Sequence, residues 1–202
     1  MKPLSLRKPM QATELLKQLQ NPEIDDTAAE QAAIALGELG DTGWAAIESL
    51  ARAADPDRRF WAVRALWANG SDTAISELLA LLNDPDEMVR SAAALALGEM
   101  RAETAIADLL TLLETDETSA GNHAADALAK IGTPAAEGLI ALLAHPQKLV
   151  RLRAAKALVP IKSHDAIRPL IDLLDNDPSY LVRHYADVAL KKMGVGQMVY
   201  FK

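Results

Sequence analysis

An all-α solenoid is the fold class the sequence predicts, and three observations carry it. A leucine recurs at Leu36, Leu66, Leu97, Leu128, Leu158 and Leu190, at steps of 30, 31, 31, 30 and 32 residues. Upstream of it, apolar groups such as Leu78-Leu79 with Leu81-Leu82 and Leu109-Leu110 with Leu112-Leu113 show the clustering of a helix that buries one face. Between the two patterns stands a turn, marked by Pro22, Pro56, Pro85, Pro146 and Pro178 in five of the six repeats. Proline cannot continue the first helix and is tolerated at the start of the next. Each repeat is therefore a helical hairpin, a helix A and a helix B, and hairpins this small bury their apolar faces only by stacking. No stretch alternates with the period of two that a half-buried strand requires.

In chain order, MKPLSLRKP (1–9) is expected to be a mobile N-terminal arm. A single solenoid then runs over residues 10–194, with hairpins at about 10–41, 42–72, 73–103, 104–133, 134–165 and 166–194. Helix B is expected to stop near Gly40, Gly70, Gly132 and Gly194, where glycine suits a left-handed C-terminal cap. The tail 195–202 ends in Met198, Val199, Tyr200 and Phe201, apolar enough to cap the last hairpin.

Helix B separates framework from variable positions. Four residues before the recurring leucine, and again one before it, all six hairpins carry alanine; these columns let neighbouring helices approach closely. Seven before it stands Arg59, Arg90, Arg151 or Arg183. With the acids beside the turn prolines (Asp55, Asp84, Asp177; His145 in another hairpin), these arginines are read as an internal ladder that holds turns to helix starts. Trp44 shares a column with Ile75, Ile106 and Ile167 and reads as core.

The stretches NDPDEMVRSAAALALGEMRAETAIADLLTLL (83–113) and LVRLRAAKALVPIKSHDAIRPLIDLL (149–174) resemble HEAT repeats, closest to the short class first described in phycobilisome bilin lyases. The resemblance spans about residues 10–194 and is specific for the repeat, not for an activity. It implies a superhelix whose B helices line a concave groove, with function in the groove's variable positions. Two hairpins depart from the pattern. The first has Ala29 in place of the ladder arginine, and the fourth has lost both proline and arginine, with Gly121 in the arginine column. A late start of that helix B, opening space beside His123, is the expectation.

The groove columns hold Gln31, Trp61, Ala92, His123, Arg153 and Tyr185, then Ile34, Arg64, Leu95, Asp126, Lys156 and Val188. Spacing of three puts them side by side on one helix face. Trp61, His123 and Tyr185 supply flat surfaces; Arg64, Arg153 and Lys156 supply cations; Asp126 is a lone acid; Phe60 and Trp67 are candidate groove walls. Arg64 stands one turn from Trp61, within stacking reach. The set suits an acidic peptide, an amphipathic helix of negative charge, or a planar carboxylate.

Composition narrows the function. A net charge of −7 argues against nucleic acid and against anionic membranes. No cysteine occurs, which excludes disulfides and thiolate chemistry and fits a cytoplasmic protein. No metal-ligand spacing, phosphate loop or nucleophile elbow is present, so no cofactor and no metal are expected. The reading is a non-enzymatic scaffold or adaptor that holds a protein or peptide partner in its groove. The alternative, implied by the resemblance, is a bilin lyase-like or tetrapyrrole-handling protein, possibly one subunit of a pair. In it Arg64, Arg153 or Lys156 would hold propionates, and the weak catalytic candidates His123 and Asp126 would move protons.

Overall fold

The computed structural model describes residues 4–195, with side chains described from residue 11 onward; the tail read as a cap lies almost wholly outside this range. Twelve helices and no strand are present among the described residues, arranged as six hairpins in two compact units that divide after Met100. The fold class is an all-α solenoid.

The N-terminal unit contains α1 (Leu4–Gln20) with α2 (Asp26–Glu38), α3 (Trp44–Ala51) with α4 (Pro56–Asn69), and α5 (Asp72–Leu81) with α6 (Glu87–Glu99). Helix α1 reaches back to Leu4, into the segment read as an arm. The second helices pack side by side, α2 on α4 and α4 on α6, while the first helices back them. Alanine makes this approach possible. Ala32, Ala62, Ala65, Ala93 and Ala96 are buried between helices, and a Cβ on Gly37 would run into the Ala65 carbonyl of α4. The recurring leucines Leu36, Leu66 and Leu97 are fully enclosed.

The C-terminal unit repeats the scheme with α7 (Ile106–Thr115) and α8 (Ser119–Ile131), α9 (Ala136–Leu142) and α10 (Lys148–Ile161), and α11 (Ile167–Asn176) and α12 (Tyr180–Lys192). Here α8 packs on α10 and α10 on α12. No helix among the described residues is long and apolar enough to cross a membrane.

Local chemistry fixes the helix ends. Aspartate or hydroxyl side chains at the N-caps accept the first free amides: Asp25 from Ala28, Asp55 from Asp57, Ser71 from Ala74, and Asp86 from Met88 and Val89. Pro56 is the first residue of α4, where its missing N–H costs nothing. At the other ends, Gly40, Gly70, Gly132 and Gly194 have φ between 60° and 90°. In the remaining two hairpins Arg101 (φ 51°) and Lys162 (φ 55°) take that left-handed position. Trp44 is half-buried rather than enclosed, as are Ile75, Ile106 and Ile167.

Candidate functional site

The arginine column is framework, and its bonds extend beyond the hairpin that carries them. Arg59 donates from Nη1 to the Ala53 and Ala54 carbonyls of its own turn, and from Nε and Nη2 to the Asp84 carboxylate of the next hairpin at 2.7 and 2.8 Å. Arg151 does the same with the His145 and Pro146 carbonyls and with Asp177. Burial acts to raise the Asp84 and Asp177 carboxyls. The hydrogen bonds from the arginines and from a backbone amide outweigh it and hold both below the ordinary carboxylate value. The hydrogen bond to Asp84 likewise holds the Arg59 guanidinium above its usual value against burial.

Gly121 breaks this column, and Arg153 occupies the space. A Cβ on Gly121 would strike the Arg153 guanidinium and the Asp116 carbonyl. Arg153 is only 3% exposed and donates to the Leu113, Asp116 and Thr118 carbonyls and to Asn122 Oδ1, at 2.6 to 3.0 Å. It serves the α7–α8 turn as a ladder arginine would. This corrects the expectation of a groove cation: Arg153 is not available to a ligand. Burial lowers its pKa, against the pull of Asp116. Helix α8 begins at Ser119, nine residues before Leu128 and so one residue later than α6, which begins ten before Leu97; Arg153 packs against Gly121 at that start.

Arg64 Nε donates to both oxygens of Glu30 at 2.9 and 3.0 Å, and Nη2 contacts Glu30 Oε1 as well. Its guanidinium lies 5.0 Å from the centre of the Trp67 ring, so its aromatic partner is Trp67 rather than Trp61. Lys156 and Asp126 pair with each other at 3.1 Å. Each is therefore matched, and Asp126 is not a lone acid. His123 is half-buried, with a buried Nδ1 that has no hydrogen-bond partner among the described residues. Tyr185 is half-buried and meets His184 edge-on, and the Tyr180 ring is stacked with the same imidazole at 6.3 Å between centres.

Two clefts stand out among the described residues of the N-terminal unit. One cleft, of about 450 Å³, has Phe60, Arg64 and Trp67 of α4 on one side and Ala92, Leu95 and Ala96 of α6 on the other. Phe60, Arg64 and Trp67 are spaced i, i+4, i+7 and so form one stripe. The small side chains of α6 leave the space beside that stripe open, and Trp67 remains 36% exposed. A second cleft, of about 610 Å³, opens at the start of α4 beside Trp61 and Phe60 and extends to Leu19, Ile24 and Met88. Phe60 and Glu30 line both. The repeat columns of the sequence do not single out Glu30, Asp26, Asp57 or Met88. Glu30 stands in the column of Phe60, one before the groove column, and that offset is the signal that could have found it. No group of three or more residues suited to a metal occurs among the described residues.

No curated protein sequence matches the chain. Solved structures share its fold. The archaeal HEAT-like repeats protein from Thermococcus onnurineus NA1 superposes with a TM-score of 0.60 at 17% identity, over 90% of this chain and 80% of that one. The complex of CpcE and CpcF of phycocyanin lyase from Nostoc sp. PCC7120 gives 0.53 at 24% identity, over 93% and 88%. A designed armadillo repeat protein in complex with the peptide (KR)4 gives 0.53 at 19% identity, over 89% and 98%. The family model for HEAT repeats matches residues 45–121 and 120–191, most of the chain, and the chain belongs to the HEAT-repeat family.

Proposed function

We propose that this chain is a non-enzymatic scaffold that binds a protein or peptide partner on the second-helix face, with the α4 stripe of Phe60, Arg64 and Trp67 as its centre. The observation that carries the reading is the apolar cleft beside that stripe, which keeps a large aromatic ring partly open to solvent. Buried aromatic and arginine anchors dominate the energetics of protein interfaces, and a pre-formed cleft with rigid walls costs little to organise. The Arg64–Glu30 pair fixes the arginine in place, so the face is pre-shaped for a partner. A designed armadillo repeat protein of the same fold class, in complex with a peptide, is a parallel for peptide binding by such a solenoid. The absence of cysteine fits a cytoplasmic setting.

The alternative is a tetrapyrrole-handling protein related to the short HEAT class of bilin lyases. Likeness to a phycocyanin lyase complex supports it at the level of fold. Its chemistry is less well served. Of the three cations proposed to hold propionates, Arg153 is buried, and Arg64 and Lys156 are paired with carboxylates.

Affinity capture with the native chain and with Trp67→Ser separates these readings. A partner protein retained by the native chain and lost by the variant, at equal melting temperature, is the expected outcome. Equal recovery on both argues against the α4 face. A shifted bilin absorption band that disappears with Trp61→Ala favours the alternative.

A further inference from the structure

The second cleft differs chemically from the first. At the start of α4 the rings of Phe60 and Trp61 lie 5.0 Å apart at 80° to one another, forming a right-angled aromatic corner. The cleft in front of it is bounded by apolar side chains, Leu19 and Ile24 from the first hairpin and Met88 from α6. Met88 is 65% exposed, which is unusual for so large an apolar side chain. The rest of the lining is Gln20, Asn21, Pro22, one guanidinium (Arg58) and four carboxylates: Asp26, Glu30, Asp55 and Asp57.

The positive groups near this rim are already engaged. Arg64 is held by Glu30. Arg58 donates to the Gln20 carbonyl and lies 3.6 Å from Asp55, whose other oxygen caps α4. Asp26 and Asp57 have no ion pair and no side-chain hydrogen bond among the described residues. Their first-turn positions suit the dipoles of α2 and α4. Helix capping accounts for acids there, but not for an aromatic corner and an exposed methionine beside them. The wider field has the same sign. Residues 1–100 hold 9 Lys and Arg against 16 Asp and Glu, whereas residues 101–202 hold 12 of each, so the whole net charge of −7 belongs to the N-terminal unit.

From this geometry we infer that the cleft receives a lysine or arginine side chain from an extended basic segment of the partner. The cation would meet the ring faces of Phe60 and Trp61, where the π quadrupole attracts positive charge. Its methylene stem would lie on Leu19, Ile24 and Met88, as long basic side chains do on apolar surfaces. Asp26 and Asp57 would supply the compensating charge. Because Phe60 and Glu30 also line the apolar cleft, one strand crossing α4 would set a basic side chain in one cleft and an apolar side chain in the other. The sign is opposite to the acidic peptide expected from sequence, because the groove cations Arg64, Arg153 and Lys156 are committed internally whereas the rim acids Asp26 and Asp57 are unpaired among the described residues.

This inference rests on the scaffold reading and sharpens its partner. The test titrates the full chain, followed by tryptophan fluorescence and calorimetry, with three capped peptides: alternating arginine and leucine, alternating glutamate and leucine, and alternating serine and leucine. The expected result is saturable binding of the arginine peptide alone. Trp61→Ala and, separately, the isosteric pair Asp26→Asn with Asp57→Asn should each weaken it by about tenfold, and added salt should weaken it further. If Trp61→Ala loses the fold by circular dichroism, the asparagine pair still decides. Preference for the glutamate or serine peptide, or arginine binding indifferent to both variants, overturns the inference and leaves the scaffold reading standing. Failure of every peptide, together with a partner capture indifferent to Trp67→Ser, removes both.

Discussion

Arg153 shows how one residue is reassigned by its neighbours. In sequence it stands in the groove column with Trp61 and Tyr185, and three positively charged candidates in that region invited a ligand. Its side chain instead fills the vacancy at Gly121 and satisfies three turn carbonyls. The ladder explains the rest of the departure. An arginine in one hairpin pairs with the acid of the next turn, as Arg59 does with Asp84 and Arg151 with Asp177. Where Gly121 removes the arginine, the following turn has His145 in place of the acid, and that imidazole turns to Glu114 at 3.1 Å. Arg153→Ala should cost about 3 kcal/mol, since it leaves buried carbonyls without donors. Gly121→Arg alone should also destabilise, because two guanidinium groups would compete for one space. The double variant should recover only part of the loss, because the Asp116 carbonyl still obstructs a Cβ at position 121, and a double-mutant cycle by urea denaturation measures the coupling.

At the scale of the element, the helix ends offer the sharpest contrast. Four second helices lead into a glycine with positive φ, but Arg101 and Lys162 accept the same left-handed backbone with a Cβ present. That conformation costs a non-glycine residue about 1 kcal/mol. Lys162→Gly and Arg101→Gly should each raise the stability by about that amount, read as a higher denaturation midpoint. Surface pairing behaves differently. The Lys156–Asp126 pair joins α10 to α8 with both side chains nearly half exposed, so Lys156→Ala should change stability by about 1 kcal/mol or less. The helices, their turns and the alanine columns were legible in the sequence because each depends on contacts repeated every hairpin. The partners of Arg59 and Arg64 were not, because those bonds link different hairpins, 25 and 34 residues apart, and spacing within one helix does not specify them.

For the molecule as a whole, acid sensitivity should follow from the ladder. The folded pKa values of Asp84 and Asp177 are depressed relative to the unfolded chain. Their contribution is therefore present above the unfolded carboxyl value, about 4, and is lost as pH falls through the folded values. Stability measured from about pH 6 down to pH 3 should fall, and Asp84→Asn with Asp177→Asn should flatten that fall while lowering stability at neutral pH. The fold class was legible from one recurring unit, but the binding face was only partly so. Trp61 and Arg64 were visible as variable positions. Arg64 borders one cleft and Trp61 the other, and each depends on what other elements place opposite: Glu30 and the small residues around Leu95 for the first, Leu19, Ile24 and Met88 for the second. In the proposed scaffold, partners meet the α4 face. Replacing Trp67, and separately the exposed Ser76 on α5, with a photo-crosslinking phenylalanine tests it most directly. The account predicts a discrete crosslinked partner from position 67 and none from position 76; crosslinking from position 76 alone would contradict it.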